Sequence, residues 1–116
     1  KVGNDIYIVD TGRHRVLKNG EVIAGTTDKS GYGPQLLNSP SALAVDSKGN
    51  LFIGDEGYSG ITPFDHSNLY ILRAGQKNLE KLEWQSFPEK IQDITMGRSD
   101  NEFFVLTPSG FYMYKQ

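Results

Sequence analysis

The sequence predicts an all-β fold: a β-propeller segment built of four-stranded antiparallel blades. Three observations predict it. Short apolar runs recur at a blade-like spacing, hairpin turn chemistry separates them, and the composition suits strands better than long helices. Thirteen glycines and five prolines fall among 116 residues, of which 37% are hydrophobic and 11% aromatic. Such frequent punctuation marks many short strands.

The spacing comes first. The run IYIVDTG (Ile6 to Gly12) aligns with LFIGDEG (Leu51 to Gly57) as apolar, aromatic, Ile, small, Asp, variable, Gly. Asp55 stands 45 residues after Asp10. A third copy, FFVLTPSG (Phe103 to Gly110), places Thr107 in the Asp column, 52 residues further on. A period of roughly 40–50 residues made of short strands is what propeller blades show; helical repeats of that length need a 3.6-residue period.

The remaining elements follow in order. RVLK (Arg15 to Lys18), LYILR (Leu69 to Arg73) and FYMYK (Phe111 to Lys115) are the strands after each matched run. Asn19-Gly20 supplies the two positive φ angles of a type I′ hairpin into EVIAG. SALAVD (Ser41 to Asp46) and IQDITM (Ile91 to Met96) precede the second and third runs, each through a polar turn. Ala42 and Ala44 suit the crowded taper near a propeller axis.

Named A to D outward, the strands divide the chain into B–D of one blade (1–25), a long D–A loop (26–40), a full blade with a B–C insert (41–90) and A–C of a further blade (91–116). Propellers close with about 4–8 blades. The expectation is therefore an incomplete propeller, whose remaining blades lie in further sequence or in other chains.

Composition narrows the function classes. Twelve Lys and Arg against fourteen Asp and Glu leave a formal charge of −2, which argues against a nucleic-acid partner. Without cysteine there is neither a disulfide framework nor a Cys-ligated zinc site. No run reaches the ~20 apolar residues of a helical membrane span. The compartment is not fixed by these features; an extracellular, cell-surface or periplasmic setting is favoured.

Residues 4–57 closely resemble tandem NHL repeats. The matching positions are Leu37, Pro40, Leu43 to Asp46, Gly49 to Ile53, Asp55 and Gly57, with Asp10 to Gly12 and His14 to Val16 in the first copy. The likeness fades after about residue 67. Ala42 replaces the Gly that the family favours, a long insert follows Gly57, and the third copy is degenerate. The resemblance implies a propeller fold. NHL propellers serve as protein-binding scaffolds, RNA-binding modules, sensor domains and surface-protein parts; a few relatives are metal-dependent lyases or hydrolases. Function does not follow from fold alone.

Candidate sites must then carry the function. Asp10 and Asp55 are expected to accept backbone N–H groups in the turns after their strands; a ring of such carboxylates at a channel mouth is the arrangement that would hold a cation. Asn19 and Gly20 complete the structural-turn set. His14, between Arg13 and Arg15, is expected to be structural, since a catalytic His needs an orienting carboxylate and a nucleophile.

The loops are more informative. The 26–40 connection and the B–C connection after Asp55 far exceed the ~2–5 residues of ordinary hairpins. In a meander both emerge on one face, and long loops on a rigid scaffold carry recognition. Tyr32, Gln35, Tyr58, Phe64, Asp65 and His66 are the candidate binding residues; aromatic anchoring of the loops is the structural alternative. One His beside one Asp falls short of the roughly three protein ligands of a catalytic zinc. No catalytic residue, metal ligand or cofactor is predicted. The expected function is non-catalytic binding: a scaffold presenting the loop face to a protein, peptide or glycan. The runner-up is a metal-dependent propeller lyase or hydrolase with its site in the central channel.

Overall fold

In a computed structural model, residues 4–57, 67–82, 91–99, 101–108 and 110–115 are described. They fold into β-strands with one short 3-10 turn, Thr11–Arg13. The strands are β1 (Tyr7–Asp10), β2 (Arg15–Lys18), β3 (Glu21–Gly25), β4 (Pro40–Val45), β5 (Leu51–Asp55), β6 (Asn68–Leu72), β7 (Glu80–Lys81), β8 (Asp93–Met96), β9 (Glu102–Thr107) and β10 (Gly110–Lys115). They form three separate antiparallel sheets, β1-β2-β3, β4-β5-β6-β7 and β8-β9-β10, and close no barrel. The all-β expectation holds. Among the described residues no helix is long and apolar enough to cross a membrane.

Turn chemistry sets the sheets locally. Asn19 and Gly20 take φ 52° and 86°, the positive pair a type I′ turn requires. The Asn19 side chain does more than tolerate that geometry: its Oδ1 accepts the Ile6 N–H at 3.0 Å and its amide donates to Asp5 at 3.0 Å. Between β4 and β5 the Asp46 carboxylate accepts the backbone N–H groups of Lys48 and Asn50, both at 2.9 Å. Gly49 supplies the positive φ there.

Side-chain alternation then decides how the sheets stack. Successive strand residues face opposite sides, and the middle sheet buries both. Toward the first sheet it turns Leu51, Ile53, Tyr70 and Leu72, which join Val16 and Ala24 in one core cluster. Toward the third it turns Ala44, Phe52, Leu69 and Ile71, which meet Ile94, Phe103 and Val105 in a second. All five residues of β5 are buried for this reason. Phe52 and Phe103 pack at 4.5 Å between ring centroids across the second junction, within the range of favourable aromatic pairs.

Small residues permit the close approach. A Cβ on Gly54 would lie 2.7 Å from Ile91 Cγ2. The Ser41 hydroxyl donates to the Ile91 carbonyl at 2.7 Å, fastening the middle sheet to the third. One Cβ added at Gly54 would push that seam apart.

Candidate binding surface

The 26–40 loop is tied along its length. Ser30 bridges to Leu37 and Gly33 to Leu36. The Thr26 hydroxyl donates to the Gln35 carbonyl at 2.9 Å, and the Leu79 N–H donates to the Pro34 carbonyl at 2.7 Å. Leu37 is fully buried and anchors the loop in the core between the first two sheets. A loop held this way displays side chains in fixed positions.

Both described candidates on this loop are exposed. Gln35 is a clamp: its amide donates to Asn78 Oδ1 at 3.1 Å, joining the loop to the residues ahead of β7. Tyr32 remains 46% exposed, the one large exposed hydrophobic in the loop. Tyr58, Phe64, Asp65 and His66 lie outside the described residues, so the second loop's contribution does not enter the geometry.

Behind the loop lies a polar junction between the first two sheets. Asp55 is fully buried, and both its oxygens accept the Asn38 N–H at 2.9 Å. The next N–H, of Ser39, donates to His14 Nδ1 at 3.0 Å. His14 Nδ1 thus serves as a hydrogen-bond acceptor at this junction. His14 and Ser39 both adopt left-handed backbone, at φ 60° and 62°. Among the described residues, the buried Asn38 Nδ2 finds no hydrogen-bond partner.

Burial pushes the Asp55 carboxyl up to about 7; the Asn38 N–H opposes that rise and the Glu56 charge adds to it. The Tyr70 phenol is pushed up to about 12, first by burial, then by the charges of Asp55 and Tyr32.

The aspartates differ from expectation in their partners. Among the described residues, neither Asp10 nor Asp55 accepts a hydrogen bond from the turn that follows it. Asp10 pairs with the Arg15 guanidinium across the β1–β2 ladder at 2.8 Å, and no side-chain cap bond leads into the 3-10 turn. Asp55 reaches back to the loop ahead of β4. The expected capping role belongs to Asp46, which carries a turn containing Gly49. Asn38, Tyr70 and Asn78 were not singled out by the sequence. Nothing local marks them, because Asn38 meets Asp55 across 17 residues and Asn78 meets Gln35 across 43.

A separate cleft of about 480 Å³ lies where β1, β4 and β8 converge, lined by Tyr7, Val9, Ser41 to Val45 and Asp93 to Met96. Ser41, Thr95 and Asp93 give its lining polar groups, and Asp93 is its one carboxylate. Among the described residues no three His, Cys, Asp or Glu side chains gather to hold a metal ion. No family model matches the chain, and no curated protein matches it.

Proposed function

We propose that this chain is a segment of an NHL-type propeller acting as a non-catalytic binding scaffold, with further blades of the same kind flanking it. The 26–40 loop presents the binding side, together with the B–C loop that bears Tyr58, Phe64, Asp65 and His66, to a protein, peptide or glycan. The observation that carries this proposal is Tyr32: a half-exposed aromatic on a loop hydrogen-bonded at Thr26, Pro34 and Gln35. Pre-ordered aromatic side chains lose little entropy on binding and are enriched at energetic hot spots. Support for blades comes from three stacked meanders and the repeated Asp-containing run.

The test is a screen of immobilised protein against peptide and glycan arrays, repeated with Tyr32→Ala. A captured ligand should bind the variant about 5–30-fold more weakly, the ~1–2 kcal/mol typical of a hot-spot aromatic. Unaltered capture by Tyr32→Ala would remove the loop from the binding surface. The alternative reading is a metal-dependent lyase or hydrolase with its site in the central channel; Asp93 in the 480 Å³ cleft is the carboxylate that supports it. Titration of the protein with zinc, manganese and calcium, read against Asp93→Asn, tests it; no Asp93-dependent uptake of any of the three would end that alternative.

A further inference from the structure

Among the described residues the exposed large hydrophobics are not scattered. Apart from Tyr32, they are Ile6, Ile8 and Val22 at the first sheet and Leu106, Phe111 and Met113 at the third. The middle sheet contributes none.

Register shows that each group forms a continuous face. Ile8 stands opposite Leu17, which stands opposite Val22, giving an apolar row across β1, β2 and β3. Phe111 stands opposite Leu106 and Met113 opposite Phe104, giving a second face across β9 and β10. Phe104 and Phe111 already meet edge to face at 6.0 Å. Val16 of the first sheet and Phe103 and Val105 of the third point the other way, into the two cores. The apolar faces therefore lie at opposite ends of the stack.

The internal repeat identifies what each face is made to meet. Ile6 and Ile8 occupy the columns of Leu51 and Ile53, the side chains by which the middle sheet receives the sheet before it. Phe104 occupies the column of Phe52, by which the middle sheet holds the sheet after it. One end is a receiving face and the other a docking face, each matched to a junction that exists inside this chain.

We propose that this chain associates with itself head to tail, the Phe111 face of one copy packing on the Ile8 face of the next. Contact between two different patches is heterologous; it builds rings or open chains and not a closed two-fold pair. Phe111 is 68% exposed and Ile8 50%, and each lies in an apolar row with its cross-strand neighbours instead of standing alone. The proposal rests on treating the sheets as repeated blades. A folded monomer would sink the self-pairing without touching loop-face binding, which Tyr32→Ala reads separately.

Sedimentation velocity across the micromolar range tests it, with thermal melting as the folding control. The unmodified chain should at least double its mass as concentration rises. Ile8→Lys and Phe111→Lys should each be monomeric, since every junction needs both faces. Mixed in equal amounts they should form a dimer and nothing larger, because one intact face remains on each. Val22→Glu and Met113→Glu repeat the experiment if either lysine variant melts early. A monomeric unmodified chain overturns the proposal. So does self-association abolished by only one of the two variants, which would mean a symmetric pair.

Discussion

At Asp55 burial and charge conflict directly. A carboxyl raised from 3.8 to about 7 favours its protonated form in the folded chain. Its contribution to stability is therefore fully present below about pH 4 and lost as pH rises through about 7, the reverse of a salt-bridged carboxylate. The size is on the order of 4 kcal/mol at one pKa unit per 1.36 kcal/mol. Urea midpoints should fall between pH 5 and pH 8 in the unmodified chain and fall much less in Asp55→Asn, whose Oδ1 still accepts the Asn38 N–H. Equal slopes for the two proteins would remove Asp55 as the cause. His14 supplies a separate residue-level test. Losing its Nδ1 leaves the Ser39 N–H without that acceptor, so His14→Ala should cost about 1–3 kcal/mol. His14→Asn, which tolerates the left-handed backbone and keeps an acceptor, should cost less. Equal melting temperatures for both variants and the parent would show that the contact contributes nothing.

At the level of elements, local chemistry explains why the strands were legible and the loops less so. The β2–β3 hairpin is written in two adjacent residues, Asn19 and Gly20, and both take the conformation their dipeptide requires. The β5 run is apolar on every position but Asp55 because both its faces are covered, a feature visible in LFIGD itself. Gly20→Val should lower stability by about 1–3 kcal/mol, since a β-branched residue at φ 86° is strained whatever space surrounds it. An unchanged melting temperature would mean that the turn relaxes without cost. The 26–40 loop was legible only as a length. Its conformation depends on partners at Arg13, Asn78 and Leu79, which no local rule connects to it. Gln35 and Tyr32, both candidates for the binding surface, are both exposed, and Gln35 in addition clamps the loop to Asn78, a contact its local sequence does not announce.

At the scale of the whole molecule, the same alternating pattern serves two purposes that burial alone tells apart. Phe103 and Phe111 are both aromatic residues on adjacent strands of the third sheet, and nothing in the one-dimensional pattern ranks one above the other. Phe103 points into the junction with the middle sheet, fully buried between Phe52 and Tyr114, whose rings lie 4.5 and 4.7 Å from it. Phe111 lies on the opposite face, open to whatever stacks next. Their truncations should therefore separate. Phe103→Ala removes a ring from a close-packed seam that holds two sheets together, and a loss of about 3–5 kcal/mol is expected. Phe111→Ala removes exposed area from the isolated molecule, so its chemical-denaturation midpoint at low concentration should shift by no more than ~0.5 kcal/mol. At high concentration Phe111→Ala should lose the extra stability that association confers on the parent, because binding to the folded state alone raises stability by mass action. Phe103→Ala should be destabilised at every concentration. If the two variants lost equal stability in dilute solution, Phe111 would belong to the core of the single chain, and the division of this stack into inner seams and outer docking faces would be wrong.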